Sequence, residues 1–335
     1  MKLVYLGNML SKHGKAPSTI ETLEPLFKTT FDDVVCASDR KNKLIRLIDM
    51  VLTVFKNRNA NYVLIDTYSS FGFYYALILG LVCQVLNVKY IPILHGGNLP
   101  ARIKKNPKLS KTLFKKAHLI LSPSNYLKQA FANEGYDVSV VPNIIEIDLY
   151  SYKDRNVVAP KLLYVRAIHK VYNPTMAIEV VNLLKPKYDN IQLCMIGPHK
   201  DQSIDDVKKL VVQYHLEDNV EIVGQMPKEK WIERAADFDI FINTTNFDNT
   251  PVSVIEAMAL GLPVVTTDVG GIPYLLSDAE DALLVEPRNP KKFANRIEEL
   301  LSGTTNHKRI AANARAKAES FAWRNVREQW KAVLQ

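Results

Sequence analysis

Short apolar runs and longer stretches of helical apolar spacing alternate from one end of the chain to the other. In the first part, Leu3–Leu6, Asp33–Ala37, Tyr62–Ile65, Lys89–Leu94, Leu119–Ser122 and Val138–Val141 are compact runs that read as strands. Ser18-Thr-Ile-Glu21 is a capping-box pattern that opens a helix toward Phe27. Lys43–Phe55 has apolar helical spacing, with Lys43, Arg46, Asp49 and Lys56 marking its polar face, and Ser124–Gly135 is a further helix. In the second part, strands over Leu162–Val165, Gln192–Ile196, Val220–Val223 and Ile240–Asn243 alternate with helices over Thr175–Leu184, Asp205–Tyr214 and Lys228–Ala236. Helices over Pro290–Leu301 and Asn306–Glu319 follow. Such alternation predicts parallel sheets covered by helices on both faces. Occurring twice in 335 residues, it predicts two doubly wound α/β domains facing one another across a cleft.

The polar segment Ser151–Pro160 is the expected linker between a domain over 1–150 and another over 161–318, with a last helix over 319–335. Thr67–Val88 carries no charged residue and is long enough for a membrane span of ~20 residues. Yet Tyr68-Ser69-Ser70, Gly72, Gly80, Gln84 and Asn87 interrupt it, and it joins two strands expected to be parallel. It reads as a buried crossover helix, with a membrane-dipping or spanning helix as the alternative.

The chain is organised around 246–271. Thr250 suits a helix N-cap, Pro251 the first helical position and Gly261 the left-handed exit. Val252, Val254, Ile255, Ala257, Met258, Ala259 and Leu260 leave the intervening helix hardly any polar face, so it is expected to be buried. Glu256 sits in its middle, where an ionised carboxylate needs a partner. Asp248 lies on the loop that feeds the helix, and Pro263–Thr267 reads as a core strand ending in Asp268-Val-Gly-Gly. Ligands of open α/β sheets sit at that carboxyl end.

An acid, seven residues, then Glu256-Ala-Met-Ala-Leu-Gly-Leu-Pro-Val-Val and a Gly-Gly loop resemble the signature of glycosyltransferase family 4, the retaining nucleotide-sugar transferases of GT-B fold. Asp248 stands where that pattern more often has Glu. The resemblance implies that Glu256 accepts hydrogen bonds from the donor ribose and that Asp248 contacts the transferred sugar. Leu162-Leu-Tyr-Val-Arg166-Ala-Ile-His-Lys170 resembles the element whose Arg and Lys clamp the diphosphate. Asn249, Thr250, Pro251 and Val252 then add backbone contacts to the donor. Gly197 and Gly224 fall where the family holds the base, although turn chemistry explains them equally well. His95, followed by Gly96 and Gly97, resembles the His of the N-terminal domain at the cleft, and Asn8 and Ser11, after the first strand, are expected to line the acceptor side. The catalytic set implied is Asp248, His95 and Arg166, with no metal ion or other cofactor. Pro142-Asn143-Ile-Ile-Glu-Ile-Asp148 resembles a further family element, and Phe321–Trp330 the last helix, which in the family crosses back to the N-terminal domain.

Charge and cysteine content sharpen this picture. All of the net +8 lies before Tyr150, and seven cations fall between Arg102 and Lys116 with no acid among them. The expected partners are therefore a nucleotide-sugar donor, an acceptor glycan or lipid-linked sugar, and an anionic membrane surface met by Arg102–Lys116. Cys36, Cys83 and Cys194 are widely spaced among apolar residues, as in a cytoplasmic protein with reduced thiols, and the apolar start is too short for a signal peptide. Nucleic-acid binding, raised by a pI of about 9.1, lacks both a module and interleaved aromatics. A GT-B epimerase is the other alternative, and the Arg166, Asp248 and Glu256 pattern argues against it. Asp237-Phe-Asp239 has the spacing of a metal-binding pair but joins a helix end to a buried strand, which fits capping and solvation better.

Overall fold

The computed structural model describes residues 1–14 and 17–335, so the polar loop expected up to Ser18 is described except for 15 and 16, which lie outside the described residues. Two compact units emerge: Met1–Ile144 with Trp323–Gln335, and Ile145–Ala322. The first unit runs through β1 (Lys2–Leu6), α1 (Thr19–Lys28), β2 (Asp33–Ala37), α2 (Lys43–Lys56), β3 (Tyr62–Tyr68) and α3 (Gly72–Val85). It continues with β4 (Tyr90–His95), α4 (Leu99–Lys105), α5 (Pro107–Phe114), β5 (Leu121–Ser122), α6 (Asn125–Ala132) and β6 (Ser139–Val140). Among the described residues its strands form a six-stranded sheet in the order β2-β1-β3-β4-β5-β6, with every pair parallel.

The second unit opens with β7 (Lys161–Val165), α7 (Pro174–Leu184), β8 (Gln192–Ile196), α8 (Ser203–Gln213), β9 (Val220–Gly224) and α9 (Lys228–Arg234). Then come β10 (Ile240–Asn243), α10 (Val252–Ala259), β11 (Val264–Thr267), α11 (Ile272–Leu275), β12 (Leu283–Val285), α12 (Pro290–Leu301) and α13 (His307–Ser320). Its sheet has the order β12-β11-β10-β7-β8-β9, again all parallel. In each sheet the connections reverse direction once, between β1 and β3 in the first and between β7 and β10 in the second. At those points the loops diverge and leave a crevice at the carboxyl ends of the strands. The last helix, α14 (Trp323–Leu334), belongs to the first unit, where Trp330 packs edge-on to Phe27 of α1 at 5.0 Å.

Three expectations need correction. Ser151–Pro160 is not a linker, and the boundary between units falls at Ile144/Ile145. Arg155 anchors the segment within the second unit: it is buried, donates to the Phe238 carbonyl from Nε at 3.1 Å and Nη2 at 2.9 Å, and donates to the Gly261 carbonyl from Nη1 at 2.9 Å. Asp239 is its counter-ion at 3.3 Å and also accepts from the Ala159 N–H, so half of the Asp-Phe-Asp pair holds the fold rather than meeting solvent. A buried guanidinium requires this many acceptors. Second, α10 starts at Val252 rather than Pro251, whose ψ of 109° leaves it as the cap in place of Thr250.

Third, α2 keeps Lys43 and Lys56 of its expected polar face exposed but turns Arg46 inward. Arg46 is buried with Met50 and Val54, because its guanidinium finds the Asn8 side chain at 2.7 Å and the Arg40 and Lys41 carbonyls at 2.8 Å each. Asp49 accepts from the Ser38 hydroxyl. Leu44, Ile45, Ile48, Leu52 and Phe55 therefore face outward. The uncharged stretch resolves as the crossover helix α3, whose Phe73, Ala76, Leu79, Gly80 and Cys83 are buried. No helix among the described residues is long and apolar enough to cross a membrane.

Candidate active site

In the second unit, the chemistry gathers at the switch point between β7 and β10. Arg166 is the first residue past β7, and strand pairing persists there: its N–H donates to the Ile196 carbonyl at 2.9 Å and the Ile168 N–H to the Pro198 carbonyl at 3.0 Å. Gly197 makes this possible, since a Cβ at that position would lie 2.0 Å from the Arg166 carbonyl oxygen. The Arg166 side chain leaves the sheet, stacks 4.3 Å over the Tyr172 ring and pairs with Asp248. Burial lowers the affinity of its guanidinium for a proton, with Tyr172 and Tyr164 pulling the other way, and an arginine remains charged throughout. Its Nε is buried without a hydrogen-bond partner among the described residues.

Asp248 is fixed from behind by the Gly-Gly loop. The Gly271 N–H donates to the Asp248 carbonyl at 2.9 Å, and Cβ atoms at 270 and 271 would lie 2.1 Å from that oxygen and 1.7 Å from the Asn249 oxygen. Gly270 has φ +57°, a backbone that glycine adopts without strain. Only glycines fit here.

Glu256 is buried in α10 and does have partners. The Tyr150 hydroxyl donates to its Oε1 at 2.7 Å and Lys228 Nζ stands 3.1 Å from the same oxygen. Burial, then the Glu256 charge, pushes the Tyr150 phenol far above its usual range, so it stays protonated and donates. One turn earlier on the same face, Ser253 Oγ is buried without a partner among the described residues. Arg166, Tyr172, Gly197, Met226, Trp231 and Ser253 line a pocket of ≈ 260 Å³. A larger hollow of ≈ 440 Å³ lies at the opposite end, beside Lys161, Gln192 and Val220 at the starts of β7, β8 and β9, away from the end where parallel sheets bind ligands.

The remaining expected donor residues are placed as follows. Asn249 and Thr250 are half-buried, Pro251 is buried and Val252 is exposed, all at the entrance to α10. Gly224 ends β9 with φ +80° and its carbonyl accepts from the Gly197 N–H at 2.8 Å. Lys170 is exposed on a short turn whose backbone N–H donates to Asp201 at 3.0 Å. That bond, followed by the Ser203 contacts, holds the Asp201 carboxyl down at about 2. Tyr150, Tyr172, Lys228 and Trp231 were not legible as site residues, and Ser253 was legible only through its backbone amide. Tyr150 illustrates why, standing 106 positions from the carboxylate it bonds.

The first unit gathers a different set at the ends of β1, β3 and β4. His95 is buried, its Nε2 2.8 Å from Asp66 Oδ1 and its ring stacked on Tyr68 at 5.2 Å. The Tyr5 hydroxyl donates to the same Asp66 oxygen at 2.9 Å. Asp66 Oδ2 is buried without a partner among the described residues and sits against Gly7, where a Cβ would come within 2.4 Å. Asp66, too, is a residue that the sequence did not reveal. Gly96 has φ +91°, and Gly97 follows it into the loop before α4. Two residues expected on the acceptor side are otherwise engaged: Asn8 accepts from Arg46, and Ser11 donates to Glu21 Oε1 through its hydroxyl at 2.6 Å and its N–H at 2.9 Å.

Comparison with known proteins bears on these sites. Residues 153–317 match the family model described as Glycosyl transferases group 1. The chain is 27% identical to the spore coat protein SA of Bacillus subtilis over 183 residues, 52% of this chain and 48% of that protein. It is 26% identical over 250 residues to the amylovoran biosynthesis glycosyltransferase AmsK of Erwinia amylovora, 71% of this chain and 61% of that protein. The match thus spans about half to three fifths of these relatives. Among solved structures, Anabaena HepE, crystallised with UDP and with UDP-glucose, superposes with a TM-score of 0.78 for the UDP complex, covering 100% of this chain and 99% of HepE at 16% identity. The fold is that of GT-B glycosyltransferases, and within it residues 153–317 match the group 1 glycosyl transferases.

Proposed function

We propose that this chain moves a hexose, with retention of anomeric configuration, from a nucleotide diphosphate sugar to an acceptor glycan, a lipid-linked or cell-surface polysaccharide precursor. The observation that carries the reading is a pair of buried donors, Arg166 Nε and Ser253 Oγ, which lack partners among the described residues and line one pocket at the β7–β10 switch point. A diphosphate offers acceptors to both, and the Arg166 charge stabilises it as it departs. Lys170 adds a second cation, so the reading requires no divalent metal. Both contacts to Glu256 fall on Oε1, which leaves Oε2 for a ribose hydroxyl. Asp248, aligned by its pairing with Arg166, meets the sugar, and His95 acts on the acceptor side.

The name of AmsK favours a polysaccharide acceptor, and the HepE complexes make UDP-sugars the first donors to try. The exposed Lys104, Lys105, Lys108, Lys111, Lys115 and Lys116 of the first unit suit an anionic membrane on which such an acceptor is displayed. A calorimetric screen against UDP-, GDP- and ADP-sugars, then turnover with the donor that binds, tests the reading. The expected product keeps the donor's anomeric configuration by NMR, and EDTA leaves the rate unchanged. An inverted product or a strict need for a divalent ion overturns the mechanism, and failure to bind any of the donors overturns the function.

A further inference from the structure

With Arg46 turned inward, helix α2 leaves an unusual surface. Leu44, Ile48, Leu52 and Phe55 recur on one side of it at helical spacing, each about half exposed or more. The neighbouring α3 adds Tyr74, Ile78, Leu81 and Val85, also on one side, with Val85 84% exposed. The two helices are tied together: the Tyr75 hydroxyl donates to the Lys43 carbonyl, and Lys43 Nζ lies 5.4 Å over the Phe71 ring. On its other flank α3 meets α5, where Gln84 Nε2 donates to the Thr112 carbonyl at 3.1 Å and Gly80 lets Leu113 approach. Apolar side chains thus cover the outer faces of two adjacent helices, which soluble surfaces rarely tolerate.

The rim of this surface identifies its occupant. Arg40, Lys41 and Lys43 stand exposed at the start of α2 and Lys56 and Arg58 at its end, while Lys108, Lys111 and Lys115 line the α5 side. Between Arg40 and Lys116 the acids are Asp49 and Asp66, the first half-buried and bonded to Ser38, the second buried. An apolar centre, a cationic border and exposed aromatics at Phe71 and Tyr74 match a bilayer bearing anionic headgroups. A second copy would bring like charges together around the same centre.

We infer that the outer face of α2 and α3 inserts among the acyl chains of an anionic membrane. This rests on the proposal that the basic first unit meets such a membrane, and adds that α2–α3, rather than α4–α5 alone, enters it. The full chain is sedimented with vesicles of phosphatidylcholine, with and without phosphatidylglycerol, for the wild type, Ile48→Asp and Leu52→Asp. Both positions are solvent-exposed, so unchanged circular dichroism and melting are expected. Each variant should bind anionic vesicles about tenfold more weakly or worse. Wild-type binding should persist in part at 1 M salt, where the Debye length is ~3 Å. Phe55→Trp reports insertion directly, through a blue shift and quenching by brominated acyl chains. Vesicle binding without shift or quenching, or without loss in the aspartate variants, overturns insertion and leaves the basic-surface proposal standing. No binding to any vesicle overturns both. A dimer in light scattering that Ile48→Asp dissociates, without vesicle binding, identifies a second copy as the occupant instead.

Discussion

The two sheets carry polar clusters at equivalent places, beside the reversal in strand order, yet the clusters are built in opposite ways. In the second unit, Arg166 Nε and Ser253 Oγ are donors without hydrogen-bond partners among the described residues, and both line a pocket, while the Asp248 carboxylate is held by its ion pair with Arg166. In the cluster of the first, an acceptor, Asp66 Oδ2, lacks a partner among the described residues and is sealed against Gly7, while its other oxygen takes both His95 and Tyr5. On the proposed function, one cluster receives an anion from outside. The other spends its carboxylate on orienting a histidine. Equal position in similar sheets therefore does not mean equal chemistry, and the direction of the unpaired hydrogen-bonding group tells them apart.

Arg166→Ala should break the first cluster most severely. Loss of a comparable electrostatic donor costs about 10²–10³-fold in turnover. Steady-state kinetics would show this, with the melting temperature preserved. Glu256→Gln should come next, weakening donor binding by about tenfold to a hundredfold, the worth of a charged hydrogen bond. A variant with wild-type donor affinity would reduce Glu256 to a structural partner of Tyr150 and Lys228.

In the Asp66 cluster, Gly7→Ala should act on stability rather than donor affinity. Its Cβ would meet Asp66 Oδ2 at 2.4 Å and Ile20 at 2.9 Å, and overpacking of this kind costs about 1–3 kcal/mol. Urea unfolding measures the loss, and unchanged UDP affinity separates the two clusters.

The smallest expected effect lies beside β1. Burial alone raises the Glu21 carboxyl, but the Ser11 hydroxyl and the Ser18 and Ser11 backbone N–H groups outweigh it and hold it below its usual value. A carboxyl lower in the folded than in the unfolded chain adds stability above its unfolded pKa, and that stability is lost as pH falls through the folded value. Glu21→Gln should cost about 1 kcal/mol at pH 7, as lost caps do, and progressively less toward pH 3. A loss independent of pH would contradict this.

Much of the fold was legible because each strand and helix announces itself over a few adjacent residues. β2, β8, β10 and α12 have the bounds expected from their apolar runs, and the capping box of α1 is present with Ser18 and Glu21 in both roles. The Gly-Gly loop and the Arg166, Asp248 and Glu256 constellation were legible as a motif. What stayed hidden depends on partners distant in sequence. Arg46 looked like a solvent face until the Asn8 side chain and two carbonyls accounted for its donors. Arg155 looked like part of a linker because its acceptors, at Phe238 and Gly261, lie 83 and 106 positions away. The short helices α4 and α5 were obscured by a run of lysines that masks their apolar spacing, and β12 is only three residues long.

The central claim is that the pocket beside Arg166 receives the diphosphate of a nucleotide sugar. Titration calorimetry of UDP into the wild type and into Arg166→Ala, both in EDTA, tests it most directly. The account predicts metal-free binding by the wild type and at least a tenfold loss in the variant, in keeping with a charge-assisted hydrogen bond worth about 1.5–3 kcal/mol. Equal affinity in the two proteins would contradict it.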